Sequence, residues 1–443
     1  MSEVRESGVV LVGCGTVGGA TAGLLTGSGE ELAARLGIRP ALRSIVDVDF
    51  AHARSLGLDE SLLATDLAAE LAREDVATVV ELVGGTTIAR DVVARALTAG
   101  KHVVTANKAL LAHHGPELFA LAREHGRCIA FEASCAGAIP IVSALTGQLA
   151  ADRVEALYGI VNGTCNFILT AMAEQGLTYE AALADAQHRG LAEADPTLDV
   201  EGGDSAHKLA ILASLAFRKR IDLGRIYVEG IDRLQLQDIH YGRELGYVVK
   251  LLAIARLQAD RLSLRVHPAF ISTRHPLARV SGPFNAVSVY ADHSGHTMHY
   301  GRGAGGVPTA SAVVGDIAAV ARGESQARFD SLGLWPDRCQ EAELVDIDHI
   351  RCRYYLRLHV ADHPGVFAAL AAVLAEQRIS ISSVLQHEPN ESSPEDGVPV
   401  VITPHRAVEG DLRRAIEAMN RLDDVRGACA CIRMVEEHPE RVE

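Results

Sequence analysis

The sequence lacks the features that mark membrane, secreted and nucleic-acid-binding proteins. Its net charge is -15, whereas a nucleic acid or an anionic membrane surface would require a basic face. No uninterrupted apolar run approaches the roughly 20 residues that a membrane helix needs. The first residues, MSEVRESG, contain no apolar stretch of the kind found in a signal peptide. We therefore expect neither a nucleic-acid partner nor a membrane partner.

The sequence also lacks paired cysteines. Its eight cysteines form no CxxC motif, so the sequence favours neither a zinc knuckle nor a disulfide framework, and a reduced, cytoplasmic setting fits best. His293, His296 and His299 are spaced by three, which suits neither one face of a strand nor a HExxH-type helical pair. A metal site at these histidines is therefore disfavoured. Cys429 and Cys431 are interpreted as small core residues on one strand face.

Length and pattern predict three domains and a linker. A chain of 443 residues is expected to form about three domains. Residues 1–135 alternate short β-rich runs with helical stretches, which predicts a Rossmann-type parallel sheet. Residues 136–322 are predicted to form an α+β substrate and oligomerisation domain, with 301–322 returning to the first domain. We interpret 323–344 as a linker, and the order of elements in 345–443 predicts a ferredoxin-like βαββαβ domain.

The individual elements are predicted from runs of β-branched residues and from helical periodicity. Pro116 is expected near the start of a helix, where its missing N–H costs nothing. The expected strands of the first domain are residues 9–12, 44–48, 78–83, 102–105 and 128–131. The expected helices of the second domain are residues 139–149, 166–174, 179–189, 203–217 and 241–258.

A GxGxxG motif follows the first predicted strand and opens a helix. Gly13, Gly15 and Gly18 supply the glycines, and Thr16 and Val17 lie between the last two. Such glycines allow a tight turn and a close backbone approach, and the helix N-terminus offers N–H groups to a pyrophosphate. The context predicts a dinucleotide site. An ordinary glycine-rich turn is the alternative.

Two further residues are placed at ends of predicted strands, where parallel sheets bind ligands. Asp47 ends the second strand, where a carboxylate can accept hydrogen bonds from the ribose hydroxyls of NAD and would repel the 2′-phosphate of NADP. We therefore favour NAD over NADP. Lys108, in the segment TANK, is a candidate for contact with cofactor or substrate. The alternatives are an aspartate that only ends a strand and a solvated loop lysine.

The stretch 190–208, GLAEADPTLDVEGGDSAHK, is the richest in chemistry. Asp204 and Lys208 are spaced i,i+4 and share a helix face, although such a pair is often only an exposed salt bridge. Glu193, Asp199, Glu201 and Asp204 would repel one another unless a cation or many donors lay among them. The stretch therefore predicts a site for a small molecule with an ammonium group. A second glycine-rich segment, GRGAGG at 301–306, either closes over the cofactor or is a flexible crossover.

Together these motifs resemble the homoserine dehydrogenases over nearly all of residues 8–322. The resemblance implies NAD(P)H-dependent reduction of L-aspartate 4-semialdehyde to L-homoserine by a homodimer or homotetramer. The segment ADHPGV at 361–366 resembles an ACT domain, which implies an amino-acid effector, and the pathway end product threonine is the candidate that the resemblance suggests. The matching segments are GCGTVGG, VVELVGG, AGKHVVTANKALL, FEASCAGAIPI, GIVNGTCNFIL, GLAEADPTLDVEGGDSAHKLAIL and GRGAGGVPTASAVVGD.

The resemblance also implies roles for particular residues. Lys208 matches the family's proton-donating lysine, and Lys108 matches a second active-site lysine. Glu193 and Asp204 match the carboxylates that hold the substrate, with Asp199 in the same loop. Two nearby lysines are expected to lower each other's pKa and so to ease proton donation.

Two further ligand sites follow from the resemblance. Gly305 matches a glycine that contacts the cofactor. Glu132, with the main-chain carbonyls of Cys135, Gly137 and Ile139, matches a sodium site, and these oxygen ligands suit a hard cation.

The sequence departs from the family pattern at two places. Leu191 stands where the family usually has Tyr or Phe, and Asp47-Val48-Asp49 stands where many relatives carry an arginine, which strengthens the expectation of NAD. Two alternative functions remain open at this point. One is a catalytically weak amino-acid sensor, and the other is a dehydrogenase of another amino-acid aldehyde.

Overall fold

The N-terminal part of the chain folds into a parallel six-stranded sheet in the order β3-β2-β1-β4-β5-β6. The computed structural model describes residues 5–387 and 397–438. Val9, Val10 and Leu11 of β1 are fully buried, as expected for a strand covered by helices on both faces. The strands are β1 (Arg5–Val12), β2 (Ile38–Val46), β3 (Leu63–Ala64), β4 (Thr78–Glu81), β5 (His102–Thr105) and β6 (Ile129–Ala130). The predicted Rossmann-type domain is confirmed.

Six helices connect these strands. They are α1 (Thr16–Gly27), α2 (Gly29–Leu36), α3 (Ala51–Ser55), α4 (Leu67–Leu71), α5 (Thr87–Thr98) and α6 (Lys108–Glu124). The prediction for Pro116 was wrong, because α6 begins at Lys108 and Pro116 lies in its interior. Asn107 caps this helix by accepting a hydrogen bond from Leu110 N at 3.0 Å, so a polar cap rather than the proline starts the helix.

The middle part of the chain contains both helices and strands, and its strands belong to a mixed β-sheet. Its helices are α7 (Ile141–Thr146), α8 (Gly163–Gln175), α9 (Tyr179–His188), α10 (Thr197–Val200), α11 (Gly203–Phe217) and α12 (Leu236–Glu244). Its strands are β7 (Val154–Ile160), β8 (Tyr227–Val228), β9 (Tyr247–Gln258), β10 (Arg261–Ser272), β11 (Phe284–Ala291) and β12 (Gly295–Arg302). The expected α+β domain is present.

The predicted helix over residues 241–258 was wrong for most of its length. Helix α12 ends at Glu244, Gly246 follows with φ 84°, and Tyr247–Gln258 forms strand β9, paired with β10 along its whole length. Every residue from Val249 to Ala255 is buried. A strand covered on both faces reads as a continuous apolar run, which periodicity alone cannot distinguish from a buried helix.

Residues 306–337 return to the nucleotide-binding domain, whereas residues 340–344 pair with Arg220 and Leu262 of the middle domain. Helix α13 (Gly306–Ala321) packs against α1, and the predicted linker contains a further helix, α14 (Glu324–Ser331). Phe329 and Trp335 are buried, with ring centroids 5.3 Å apart. The segment therefore contributes to a core, which its polar composition did not suggest.

The C-terminal part has the predicted ferredoxin-like order. Its elements are β13 (Arg351–Val360), α15 (Val366–Glu376), β14 (Ile381–Gln386), β15 (Val398–Pro404), β16 (Ala407–Val408), α16 (Glu409–Met419) and β17 (Val425–Val435). The polar loop expected at 388–397 lies almost entirely outside the described residues. Strand β17 pairs in parallel with β10 through Arg433–Val435, so the middle and C-terminal sheets form one 11-stranded sheet.

In the described portion of the chain, no helix combines the length and apolar character needed to cross a bilayer.

Candidate active site

The turn between β1 and α1 has the geometry of a dinucleotide-binding loop. Gly13 adopts φ 95°, and a Cβ there would lie 2.7 Å from the backbone of Leu82. A Cβ on Gly18 would lie 2.1 Å from the carbonyl oxygen of Gly13, so neither position accepts a larger residue. A Cβ on Gly15, in contrast, would meet no atom within 4 Å. The space over Gly15 is where the backbone of this motif receives a pyrophosphate, so the loop fits a nicotinamide dinucleotide.

Asp47 lies beside this loop, at the end of β2. One carboxylate oxygen accepts a hydrogen bond from Cys14 N at 2.6 Å, and the other accepts one from Val48 N at 2.7 Å. The Val48 side chain is 99% exposed. Arg54, the first arginine after the strand, forms an ion pair with Glu60 at 2.8 Å. The end of β2 therefore places a carboxylate beside the glycine loop, and the first arginine after it is paired with Glu60.

A buried hydrogen-bond chain at the ends of β4 and β5 positions Lys108. The fully buried Glu81 accepts hydrogen bonds from Thr105 Oγ1 at 2.6 Å and from Val83 N at 2.9 Å. Thr105 Oγ1 in turn accepts one from Asn107 N at 3.0 Å. Because Asn107 caps α6, Lys108 is the first residue of that helix, directly after the ends of β4 and β5.

Asp204 lies between two lysines at the centre of the site. Its Oδ2 contacts Lys208 Nζ at 2.8 Å and its Oδ1 contacts Lys108 Nζ at 3.1 Å. Lys208 Nζ also donates a hydrogen bond to the carbonyl oxygen of Val161 at 2.7 Å. Asp204 and Lys208 are buried, whereas about a third of the Lys108 side chain remains exposed. The structure thus brings Lys108, Asp204 and Lys208 into one cluster.

Asn162 joins this cluster to the acidic loop. Its Nδ2 donates hydrogen bonds to Asp199 Oδ1 at 2.7 Å and to Asp204 Oδ2 at 2.9 Å. Its Oδ1 accepts one from Cys165 N at 2.8 Å and caps α8. A single amide therefore separates two carboxylates that would otherwise repel each other. The sequence argument assigned no role to Asn162, although an asparagine directly before a helical run is a typical cap signal.

The charges of the cluster determine its protonation. Burial by itself would raise the pKa of Asp204, but the ammonium groups of Lys208 and Lys108 outweigh it and hold that pKa below its usual value. Burial tends to lower the pKa of Lys108, yet Asp204 raises it above the ordinary lysine value. The expected mutual lowering of the two lysine pKa values was therefore wrong for Lys108. Burial and the charge of Asp204 raise the pKa of Asp199.

Glu193 does not join the cluster in this structure. It lies exposed on the loop between α9 and α10, and its main-chain carbonyl accepts a hydrogen bond from Gln187 Nε2 at 3.2 Å. Among the hydrogen bonds of the described residues, none links the Glu193 carboxylate to Lys108 or Asp204.

The second glycine-rich segment packs between the nucleotide loop and the middle domain. A Cβ on Gly306 would lie 3.1 Å from the carbonyl oxygen of Thr16, and Gly305 adopts φ 116°. A Cβ on Gly303 would lie within 2.6 Å of three Asn285 side-chain atoms, and one on Gly137 would lie 2.6 Å from Gly303 O. The segment is thus a close-packed link beside the cofactor crevice.

The Glu132 carboxylate caps α7. It accepts hydrogen bonds from Val142 N at 2.8 Å and from Ser143 N at 2.7 Å, and the Ser143 hydroxyl donates to it as well. Burial raises the pKa of Glu132, and these donors oppose that effect. Ile139 O accepts a hydrogen bond from Ile141 N at 2.7 Å. Both carboxylate oxygens therefore have donors in this structure.

Two of the three spaced histidines contact different partners. His293 pairs with Asp152 at 3.0 Å, and His296 stacks on Tyr290 with ring centroids 4.3 Å apart. Across residues 5–387 and 397–438, no group of at least three His, Cys, Asp or Glu side chains has the arrangement of a metal site.

Three family models together match most of the chain. A model described as homoserine dehydrogenase matches residues 140–318, and one described as homoserine dehydrogenase, NAD binding domain, matches residues 13–132. An ACT domain model matches residues 354–422.

Named relatives match over nearly the full length. A homoserine dehydrogenase of Neisseria gonorrhoeae is 42% identical over 98% of this chain and 100% of its own length. One of Pseudomonas aeruginosa is 43% identical over 96% of this chain and 98% of its own. The crystal structure of a homoserine dehydrogenase from Thiobacillus denitrificans matches with a TM-score of 0.90 and 40% identity, covering 98% and 99% of the two chains.

A more distant structure contains a cofactor. A hyperthermophilic archaeal homoserine dehydrogenase in complex with NADPH matches with a TM-score of 0.60 and 25% identity, over 72% of this chain and 98% of that one.

Proposed function

Because this chain belongs to the homoserine dehydrogenase family, we propose that L-aspartate 4-semialdehyde is reduced to L-homoserine at the Lys108–Asp204–Lys208 cluster. One observation carries this assignment. The buried Asp204 carboxylate holds two ammonium groups, at 2.8 and 3.1 Å, beside a crevice that fits a nicotinamide dinucleotide. Positive charge concentrated there suits a reaction that develops an alkoxide.

Lys208 acts as the proton donor in this proposal. When bound, NADH or NADPH would supply a hydride to the aldehyde carbon and be oxidised to NAD⁺ or NADP⁺, and negative charge would develop on the aldehyde oxygen. The Lys208 ammonium stabilises that charge and transfers a proton from Nζ to the oxygen. Its contacts with Val161 O and Asp204 fix Nζ before the substrate arrives. Lys108, kept protonated by Asp204, adds a second positive charge at the mouth of the site.

The carboxylates of the loop bind the amino-acid end of the substrate. We assign Glu193 and Asp199 to the α-ammonium group, because both lie on the segment between α9 and α11 that borders the cluster. Asp204 adds its negative charge while its oxygens hold the lysines. Asn162 keeps Asp199 within reach of the cluster, at 2.7 Å from its own Nδ2.

A sodium site remains a proposal for the turn after β6. Its ligands would be main-chain carbonyl oxygens of Cys135, Gly137 and Ile139, with Glu132 beside them. Because three donors already occupy the Glu132 carboxylate, this side chain fits the role of shaping the turn better than that of a dominant ligand. No catalytic step depends on this ion.

Aldehyde-dependent oxidation of NADH by the purified enzyme tests the assignment directly. We expect turnover with L-aspartate 4-semialdehyde, and much lower kcat/KM with amino-acid aldehydes one carbon longer or shorter. A catalytically weak sensor would instead bind amino acids without oxidising NADH. A clear preference for another aldehyde would show that the enzyme reduces a different substrate by the same type of reaction.

We further propose that NADH is preferred over NADPH, because a carboxylate at Asp47, at the end of β2, would repel a 2′-phosphate. The archaeal relative was solved in complex with NADPH, so family membership alone does not decide between the two cofactors. Replacing the exposed Val48 by arginine, together with Asp47→Ser, is expected to raise the ratio of kcat/KM for NADPH to that for NADH at least about tenfold, since a charge-assisted hydrogen bond contributes about 1.5–3 kcal/mol. Val48→Gln is the uncharged control. A wild-type preference for NADPH would refute the role of Asp47.

Regulation, assembly and location are the remaining proposals. The ACT domain supports an amino-acid effector, for which threonine is our first candidate. A homodimer or homotetramer is expected from the ACT domain and the sheet-rich middle domain. A cytoplasmic location is expected because all eight cysteines are free thiols.

A further inference from the structure

A fully buried carboxylate at the end of β4, that of Glu81, holds two neighbouring turns together. Its Oε1 accepts hydrogen bonds from Val83 N at 2.9 Å and from Gly84 N at 3.2 Å, both in the turn that follows β4. Its Oε2 accepts one from Thr105 Oγ1 at 2.6 Å, at the end of β5. The carboxyl ends of parallel strands form the ligand crevice of such a sheet. Glu81 therefore supports this crevice from inside the protein, with both oxygens bound to backbone or side-chain donors.

Asn107 joins the same two turns at a second point. Its backbone N–H donates a hydrogen bond to Thr105 Oγ1 at 3.0 Å, and its Nδ2 donates one to Gly85 O at 2.7 Å, in the turn after β4. Its Oδ1 accepts a hydrogen bond from Leu110 N and so caps helix α6. The Thr105 hydroxyl thus donates one hydrogen bond and accepts another, and it links Glu81 to the start of α6.

The glycine loop of the nucleotide site packs on the turn after β4. A Cβ on Gly13 would lie 2.7 Å from the carbonyl carbon and oxygen of Leu82. It would also lie 2.9 Å from Val83 N, the amide that donates to Glu81. The loop and the turn are therefore in direct backbone contact, and Glu81 holds the same short segment on which the nucleotide loop rests.

The same hydrogen bonds determine where Lys108 leaves the backbone. Lys108 follows Asn107 as the first residue of α6, and its Nζ lies 3.1 Å from Asp204 Oδ1, on helix α11. About a third of its side chain is exposed, and a lysine side chain has a flexible four-carbon stem. The ammonium group is therefore fixed at two points, by the contact with Asp204 and by the capped backbone from which the stem begins.

The position of this ammonium group matters for the rate of the reaction. Charged groups stabilise a developing charge best when they are in place before the reaction begins. A misplacement of about 1 Å can cost about 100-fold in rate. Lys108 and the nucleotide loop both adjoin the hydrogen bonds of Glu81, so these bonds set the distance between the second ammonium group and the cofactor crevice.

We propose that Glu81 is a positioning residue for the reduction, which acts through Thr105 and the cap of α6 to fix the Lys108 ammonium relative to the nucleotide loop. Glu81 is fully buried, so it acts through these neighbours and not on the substrate. This proposal rests on the proposed function, in which Lys108 adds the second positive charge of the active site.

Thr105→Val in the full-length enzyme removes the linking hydroxyl and keeps a β-branched side chain of similar shape. We expect kcat/KM for the aldehyde to fall at least about tenfold, because Lys108 is misplaced. Thr105→Ser keeps the hydroxyl and should retain most of the wild-type activity. Thr78→Val is the matched control, since Thr78 is also a fully buried strand threonine, and its hydroxyl has no hydrogen-bond partner within the described structure.

Two further measurements show whether the effect passes through Lys108. In Thr105→Val/Lys108→Ala, kcat/KM should be within about twofold of that of Lys108→Ala alone, because residues that act through one another are not additive. The second measurement needs no turnover. The pKa of Lys108 is obtained from the pH dependence of its reaction with an amine-directed reagent, followed by mass spectrometry. Because Asp204 raises this pKa, it should be lower in Thr105→Val than in wild type or Thr78→Val.

Glu81→Gln gives an independent result if circular dichroism shows that Thr105→Val has not folded. Its amide would turn a donor toward the Thr105 hydroxyl, so the same fall in the pKa of Lys108 is expected. An unchanged pKa in the folded variants, or an equal loss of kcat/KM with and without Lys108, overturns the positioning role and leaves the proposed function standing. Absence of aldehyde reduction by the wild type refutes the proposed function, whereas the pKa of Lys108 still tests the geometry.

Discussion

Replacing Lys208 by alanine is expected to lower kcat at least about 100-fold while leaving the fold and NADH binding intact. General-acid catalysis typically contributes about 10²–10⁴-fold to a rate, and Lys208 Nζ is the buried donor that Asp204 and Val161 O hold in place. Asp204 keeps Lys108 as a partner in this variant, at 3.1 Å, so the carboxylate is not left without a counter-charge. Steady-state kinetics measure kcat, and NADH fluorescence measures cofactor binding.

Lys219→Ala is the matched control for this experiment, because Lys219 lies just beyond the end of the same helix and lines a different pocket. Its kcat should remain that of the wild type. Lys208→Arg separates charge from proton donation, because arginine keeps the positive charge but does not release its proton in proteins. We expect it to remain at least about tenfold below wild type in kcat. A near-normal kcat in Lys208→Ala would contradict the assignment of Lys208 as the proton donor.

The sequence predicted the Asp204–Lys208 pair because both residues belong to one helix, where i,i+4 spacing fixes their neighbourhood. The contact between Asp204 and Lys108 is different. It joins helices α6 and α11 from two domains, so only the tertiary structure or a family resemblance can bring the two residues together. Asn162 was missed for the same reason, since its links to Asp199 and Asp204 cross between elements.

The protonation of the site could not be predicted from residue types either. Two lysines close together should lower each other's pKa, and the sequence argument considered only that interaction. In the structure Asp204 lies between the two lysines, and the negative charge of Asp204 raises the pKa of Lys108 instead. The sign of such a shift depends on which charge is nearer, and that is a property of packing.

The fold was predictable where local signals were strong. The glycine loop, the alternation of strands and helices, and the βαββαβ tail all carry sequence signatures. Strand β9 was mistaken for a helix because a strand buried on both faces has no alternating pattern. The helix at Glu324–Ser331 was missed because its sequence is mostly polar and Phe329 is its one buried residue.

Asp204→Asn is expected to lower both activity and stability. Removing one partner of a buried ion pair costs about 3–5 kcal/mol, and in this variant two ammonium groups would face each other without the carboxylate. Because Asp204 raises the pKa of Lys108, its loss should also lower that pKa. We therefore expect kcat/KM to decline at a lower alkaline pH than in wild type. Urea unfolding and a pH profile of kcat/KM measure the two effects.

The direction of the Asp204 pKa shift determines how the stability difference between wild type and Asp204→Asn changes with pH. The pKa of Asp204 is lower in the folded chain than its ordinary value, so its stabilising contribution is present above that ordinary value and is lost as pH falls through the folded one. The stability difference between wild type and Asp204→Asn should therefore be full at pH 7 and shrink only in strong acid. Asp195→Asn, an exposed carboxylate on the same loop, is the matched control. If both variants unfold at the same urea concentration as wild type, Asp204 does not hold the two lysines together.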